Sequence, residues 1–172
     1  MQAWYFTEMP YPHLPPFDEL STIRVTLPSK HFDPKLGADL YNRYLDEYIM
    51  ADDLGLNMMV NEHHQTPYGM MPSPTVTASA LARRTTRARI AILGNALPLR
   101  SQPFTIAEEH AMIDNITHGR LISGFVRGIG AEYHAFGINP ATSLERFREA
   151  HDMIIRAWTE PGPFEFHGKH YN

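Results

Sequence analysis

The chain contains no cysteine. That excludes a disulfide framework, thiolate chemistry and any cysteine-based zinc site. It also lacks an apolar run near the roughly 20 residues that a membrane span requires, so no membrane association is expected. No basic region followed by a long apolar stretch opens the chain, so no signal peptide is expected and the cytoplasm is the default compartment. Neither sign of charge dominates: 15 Lys and Arg stand against 19 Asp and Glu, a formal net charge of -4. Basic residues cluster only at Arg83, Arg84, Arg87 and Arg89. No aromatic residues interleave them, so they read as the solvated end of a helix and no nucleic-acid partner is expected. No Gly-x-Gly-x-x-Gly follows the first strand candidate, which weakens a dinucleotide-binding reading. Gly128 and Gly130 form only a lone Gly-x-Gly.

What the chain does have is alternation. Its 172 residues, 43% of them hydrophobic, can bury one core and are few for two domains. Residues 3–9, AWYFTEM, are rich in β-favouring aromatics and read as a strand. A loop carrying Pro10, Pro12, Pro15 and Pro16 follows. Residues 37–54 have helical spacing, with Tyr41, Leu45, Tyr48 and Ile49 near one face and Gly55 at the end. LNMMVNEH, residues 56–63, is the second strand. Ser73 before Pro74 predicts an N-cap and a helix over about 74–86. ARIAILGNALPL holds a third strand starting near Arg89. Thr105 and Glu108 have capping-box spacing and open a helix over about 105–118, with Gly119 suited to its C-terminal turn. RLISGFVRG, residues 120–128, is the fourth strand. Thr142 and Glu145 repeat the capping-box spacing, and Leu144, Phe147, Ile154 and Trp158 are the expected buried face of the last helix. GPFEFHGKHYN reads as a short hairpin turning near His167-Gly168, with both histidines of HGKH exposed. The order is βα four times, an α/β chain with a parallel sheet and helices packed against it. A doubly wound fold fits this order. So does half of a (β/α)8 TIM barrel, since a full barrel needs about 250 residues.

In either fold, functional groups gather at the C-terminal ends of the strands. VNEHHQTPYG, residues 60–69, places Glu62, His63 and His64 at that end of the second strand. Strand alternation puts His63 on one face with Asn61 and Met59, and Glu62 and His64 on the other. Neighbours in a strand do not readily chelate one ion, so no metal site is expected. His63 reads equally as a structural residue and as a proton-transfer or hydrogen-bonding group, since imidazole titrates near neutral pH. His64 reads as structural. Glu62 either orients an imidazole or bonds a loop amide.

EHHQTPYG is followed by PFTIAEEHAMIDNITHGRLISGFVRG over residues 103–128, then by AEYHAFGI and the last helix. In order and spacing these segments resemble the luciferase-like, flavin-dependent monooxygenases, the family that includes bacterial luciferase and alkane monooxygenase. The resemblance covers nearly the whole chain. It implies a (β/α)8 barrel that binds reduced FMN, or in some branches a deazaflavin, and uses O2 to oxidise a small organic substrate. A hydride-transferring reductase or dehydrogenase and a non-catalytic flavin-binding protein are the alternatives on the same fold. By similarity, His63 is the histidine that acts near the flavin as a base or hydrogen-bond partner. Gly94 and Asn95 match the position where family members carry a non-proline cis peptide against the flavin ring; a β-bulge is the plainer reading of Gly94. Arg127 matches an arginine on the FMN phosphate, where a planar guanidinium fork suits the oxygens. Paired with a carboxylate at the rim, it would instead be structural. Tyr68 and Met70, with Met71 and Phe17, are the candidate contacts to an apolar substrate. The loop over residues 10–35 and QTPYGMMP would close over it.

The chain departs from the family pattern in places. Gly130 stands where bacterial luciferase has a tyrosine, with Tyr133 the nearest substitute. Val126 stands where some members have a reactive thiol. Only four of eight βα units are represented. Residues 1–172 are therefore expected to be the N-terminal part of one barrel domain, either an excerpt of a longer protein or a homodimer, because its outer strands would expose unpaired backbone. The implied partners are the small-molecule substrate and a flavin reductase supplying reduced FMN.

Overall fold

The computed structural model describes residues 1–172. Six strands occur in chain order: β1 (Trp4–Phe6), β2 (Asn57–Val60), β3 (Ile90–Ile92), β4 (Asn95–Ala96), β5 (Leu121–Ile122) and β6 (Phe125–Val126). β1, β2, β3 and β5 form one sheet in that order, with every pair parallel, and β4 pairs with β6 in parallel beyond it. Five helices intervene: α1 (Pro34–Asp53), α2 (Pro74–Arg84), α3 (Phe104–Thr117), α4 (Gly130–Phe136) and α5 (Ser143–Thr159). The expected βα order holds, and α4 is an addition that sequence spacing did not suggest. No helix is long and apolar enough to cross a membrane.

Local chemistry fixes where the helices begin. α1 starts three residues before the periodic stretch because Asp33 caps it: its carboxylate accepts from the amides of Lys35 and Leu36 at 2.8 and 3.2 Å, and Pro34 takes the first helical position. Its buried face is Leu40, Tyr44 and Tyr48, one residue out of phase with the expected Tyr41, which is partly exposed. Ser73 caps α2 as expected, accepting from the Val76 amide. The two expected capping boxes do not form. The Thr105 hydroxyl donates instead to the Gln102 carbonyl at 2.8 Å, and that of Thr142 to the Asn139 carbonyl at 3.0 Å. Glu145 is engaged with Lys169 and His170. On α5 the buried residues are Ser143, Ala150, Met153 and Ile154, whereas Leu144 and Trp158 are exposed at their edges.

Alternation along the strands sorts side chains to two faces. Met58, Val60, Ile90 and Ile92 are fully buried against Tyr48 of α1, Leu81 of α2 and Ile113 of α3. Each such side chain contributes roughly 1.5–3 kcal/mol on leaving water. On the other face, the register aligns Phe6, Met59, Ala91 and Ile122 across the sheet. This face is less covered, and Phe6 and Leu93 are 44% and 56% exposed.

The third and fourth strands are each broken, the third at Gly94, where the resemblance implied a cis peptide and a β-bulge was the plainer reading. β3 gives way to β4 at Leu93-Gly94, and β5 to β6 at Ser123-Gly124. The reason is a close backbone approach: a Cβ on Gly94 would lie 2.7 Å from the Gly124 carbonyl oxygen and 2.9 Å from the Phe125 nitrogen. The Asn95 amide donates to that same Gly124 carbonyl at 2.9 Å. Only glycine fits such a crossing.

No strand forms in residues 160–172, so the expected hairpin is absent. The segment is held as a tail on α5. Glu149 accepts from the amides of Lys169 and His170, and the Gly168 amide donates to the Tyr171 carbonyl. Tyr171 is buried among α3 and α5 residues with the Arg146 guanidinium 4.8 Å from its ring centre. His167 is exposed as expected, but His170 is largely covered.

Asp52, buried at the end of α1, joins that helix to the start of β3. Its carboxylate accepts from the amides of Thr86, Arg87 and Ala88 at 2.9, 3.1 and 2.6 Å. Burial pushes its pKa up, but the three amides and the Arg87 charge outweigh it and hold the carboxyl below its usual range. Asp52→Ala strands those amides and is expected to cost roughly 1–3 kcal/mol by urea unfolding. A lowered folded-state pKa makes this stabilisation complete above the unfolded value and lost as pH falls through the folded one. Asp52→Asn should therefore flatten the acid limb of the urea midpoint plotted against pH.

Candidate active-site cleft

β2 ends at Val60, and the chain beyond it splits its side chains between two environments. Asn61 and His63 face a cleft of about 550 Å³ at the C-terminal ends of the strands. Glu62 and His64 turn inward. This is the separation that alternation predicts, carried past the end of the strand.

His63 lies between two carboxylates. Its Nε2 is 3.0 Å from Oε2 of Glu8, and its Nδ1 is 3.5 Å from Oε1 of Glu132. The His63 amide donates to the Met71 carbonyl at 3.0 Å, and Gly69 packs against the side chain, where a Cβ would sit 3.1 Å from His63 Cβ. The QTPYG loop thus holds the imidazole in place by its backbone. The hydrogen bond to Glu132 is the main influence raising the His63 pKa; burial opposes it, the charges of Glu8 and Glu132 add to it, and Arg24 opposes it. For Glu132, burial pushes the pKa up, but hydrogen bonds from His63 and the Ile129 amide and the two histidine charges leave it lowered. Neither Glu8 nor Glu132 was legible as a site residue. They come from the loop after β1 and from α4, and only the fold brings them to residue 63.

Glu62 does both jobs its position allowed. Oε1 is 2.7 Å from Nε2 of His64, and Oε2 accepts from Arg100 Nη2 at 2.6 Å, Asn95 Nδ2 at 2.9 Å and the Ala96 amide at 3.1 Å. Asn95 is wholly buried, and its Oδ1 meets Nε2 of His110 at 2.6 Å, while Nδ1 of His110 meets the Ser123 hydroxyl at 2.9 Å. Burial, helped by the Arg100 charge, pushes the His110 pKa down to about 4, so the ring is neutral at pH 7. With Asn95 Nδ2 donating to Glu62, Oδ1 must be the acceptor toward His110. The neutral ring then carries its proton on Nε2 and accepts from Ser123 at Nδ1. His110 was not a candidate from the sequence. Its only signal is helical spacing from Ile106 and Ile113.

The expected cofactor residues divide. Leu93, Gly94 and Arg127 line the cleft of His63. The peptide bond between Leu93 and Gly94 is cis. Asn95 does not reach the cleft with its side chain, which is committed to Glu62 and His110. Arg127 is exposed and is absent from the ion pairs of the chain. Tyr133 sits behind it, with its hydroxyl 2.9 Å from the Arg127 carbonyl and 3.2 Å from that of Gly128. It therefore supports the backbone that carries the arginine and does not replace the missing tyrosine in the cleft. The expected substrate contacts are not brought there. Met70 is buried in the main core and its carbonyl is held by the Tyr41 hydroxyl. Tyr68 lies in a separate groove with Phe17. A further apolar hollow of about 230 Å³ runs under the N-terminal loop, lined by Tyr11, Leu27, Phe32 and Met70 among others.

The lining of the cleft suits a mostly apolar group with an anionic arm. Its walls are Phe6, Leu93, Phe125, Val126, Ile129 and Phe147, and its polar groups are Asn61, His63, Glu8, Glu132 and Arg127. Asn61 offers an acceptor, since its Oδ1 is buried without a partner while its Nδ2 donates to Glu8 at 3.2 Å. A flavin ring brings N–H donors and its phosphate an anion, so the donor set fits FMN.

The description of the family of luciferase-like monooxygenases matches residues 25–172. Among curated relatives, the chain is 34% identical over 107 residues to 4-hydroxyprotoasukamycin monooxygenase of Streptomyces nodosus subsp. asukaensis, covering 62% of this chain and 29% of that protein. It is 28% identical over 141 residues to the oxygenase component of the flavin-dependent trigonelline monooxygenase of Acinetobacter baylyi, covering 80% and 38%. In fold it is similar to the oxygenating constituent of 3,6-diketocamphane monooxygenase from Pseudomonas putida, solved with FMN, with a TM-score of 0.74, 19% identity, and 99% of this chain against 42% of that one. The chain spans less than half the length of these relatives. The α/β architecture, a parallel sheet with helices outside, is that of a partial barrel of this kind. With the match running over most of its residues, the chain belongs to the luciferase-like monooxygenase family.

Proposed function

We propose that the chain is the N-terminal part of one (β/α)8 barrel domain, and that this barrel binds reduced FMN in the cleft of His63 and Arg127 and oxidises a small, apolar organic molecule with O2. The observation that carries the reading is the cleft itself: apolar walls, a histidine at the end of β2, and an unpaired guanidinium at the end of β6. The FMN held by a fold relative and the family membership support it. The relative named as an oxygenase component supports a separate flavin reductase as partner.

When bound, reduced FMN would supply the electrons that activate O2 for transfer of one oxygen atom. The chain's residues do the rest. Arg127 would grip the phosphate as a planar fork. Leu93 and Gly94 would present backbone to the ring, and Phe6, Phe125 and Val126 would keep water from it. His63 would hold or move a proton at Nε2, the nitrogen nearer the open side of the cleft.

Three outcomes are expected. His63→Ala in the intact enzyme should slow turnover by about 10²–10⁴, with FMN affinity little changed; normal turnover at saturating substrate would remove His63 from the chemistry. Arg127→Ala should weaken FMN, measured by anaerobic titration, more than it slows the chemical step. A fall in rate at unchanged flavin affinity would dismiss the phosphate role. The outer edges of β1 and β5 carry backbone groups unpaired within the sheet; the remaining strands would cover them in the intact barrel, whereas the 172-residue chain expressed alone would cover them by association as a homodimer. Light scattering should then report twice the chain mass, and a monomer at micromolar concentration would refute it.

A further inference from the structure

Carboxylates stand on both sides of the His63 ring. A neutral imidazole has one N–H and one lone pair, whereas a carboxylate only accepts. With Glu8 facing Nε2 at 3.0 Å and Glu132 facing Nδ1 at 3.5 Å, a neutral ring would aim its lone pair at one of them. Only the doubly protonated ring offers a donor to each.

The two carboxylates are not equivalent. The Glu132 side chain is 3% exposed, and its Oε2 accepts from the Ile129 amide at 2.9 Å. Gly128 leaves it room, since a Cβ there would lie 3.0 Å from that oxygen. With Oε2 fixed by the backbone, Oε1 is left to face His63. Glu8 is 44% exposed and shares its Oε2 with the Asn61 amide group. Glu132 is anchored, and Glu8 is exchangeable.

We propose that Glu132 is a positioning residue for His63: its carboxylate accepts from the Nδ1–H, keeps the ring a cation, and leaves the Nε2–H directed into the cleft, where Glu8 competes with an anionic acceptor on the bound cofactor or substrate. His63 then enters the reaction as a charged donor and not as a resting base. The other charged groups around the ring are few. Arg24 from the loop before α1 opposes the cation, Arg127 lines the same cleft, and the carboxylate of Glu62 is buried behind it among its own partners. Because the partners raise the ring's pKa, the cation is favoured below that raised value and lost as pH rises through it.

The test is a ¹⁵N NMR titration of the histidine rings in the full-length protein, with His63 assigned by loss of its signals in His63→Gln. The wild-type ring is expected to show two protonated nitrogens at pH 7 and to titrate above ordinary imidazole. Glu132→Gln should lower the midpoint and leave the neutral ring protonated on Nε2, toward Glu8. Glu8→Gln should leave the neutral ring protonated on Nδ1, toward Glu132. This exchange of tautomers is a readout that a merely structural Glu132 would not move. One tautomer in both variants, or a midpoint unaffected by Glu132→Gln, overturns the proposal. Should Glu132→Gln fail to fold, the wild type and Glu8→Gln decide: a singly protonated wild-type ring at pH 7, or an Nε2–H ring in Glu8→Gln, overturns it equally. In the active enzyme, the alkaline limb of turnover should move to lower pH in Glu132→Gln. The role in turnover rests on the reading of this cleft as a flavin site, but the NMR titration needs no flavin. If FMN does not bind while the tautomers exchange, the functional reading falls and the Glu132–His63 pairing stands.

Discussion

The buried carboxylate of Glu62 is the group on which the site depends. Its side chain is fully removed from solvent, and it gathers Arg100, His64, Asn95 and the Ala96 amide around one charge. Those partners come from the end of β2, from β4 and from the turn after it. Through Asn95 the same network runs on to His110 of α3 and Ser123 beyond β5. A charge in such a place is tolerated only when every lone pair is used, and removal of one partner from a buried pair costs about 3–5 kcal/mol. The network therefore fixes three successive strand ends relative to each other, and these ends form the floor of the cleft. Its neutral member matters as much as its charged ones. His110, neutral at pH 7, relays a hydrogen bond without adding a second buried charge.

The order of residues at the end of β2 makes this arrangement work. Glu62 looks inward and builds the frame, while His63, its neighbour, looks outward and meets the cleft. The two histidines are adjacent in sequence, but His64 answers to Glu62 and packs 4.7 Å from the Phe136 ring, whereas His63 answers to Glu8 and Glu132. One dipeptide thus separates an imidazole bound into the frame from one that faces the cleft. The direction of the backbone performs the separation, with no difference in residue type.

Much of this was legible in the sequence, and the parts that were not share a cause. Apolar periodicity located four strands and four helices, and Ser73-Pro74 located a helix start, because these signals are local. The division of His63 from His64 followed from alternation alone. An irregularity at Gly94 was legible, but the break in the fourth strand and its cause were hidden, because Gly94 and Gly124 meet only in the fold, thirty positions apart in the chain. Both capping boxes had the right spacing yet failed, since Thr105 and Thr142 found nearer carbonyls to bond. Asn95 was read as a cofactor contact, but its side chain turns to Glu62 and His110, partners that only the fold supplies. Glu132 was the least visible of all. It stands in a helix of seven residues that apolar spacing did not mark, and its value lies in the distance to a residue 69 positions earlier.

The paired glycines and the buried carboxylate solve one problem between them. A parallel sheet that is to carry a reaction at its strand ends must open there without unravelling. Continuous β3 and β5 would fill the space above the sheet with side chains and close the cleft. The crossing at Gly94 and Gly124 removes side chains where the two backbones meet, and the strands resume as β4 and β6 beyond it. That interruption leaves backbone groups in search of partners. The Ala96 amide finds Glu62, the Asn95 amide finds the Gly124 carbonyl, and the Leu93 amide finds the Val60 carbonyl at 2.7 Å. The break in the ladder is thus repaired by the same carboxylate that frames the site. Leu93 and Gly94 are left facing the cleft, held by hydrogen bonds on their flanks and free on the side where a ligand would lie.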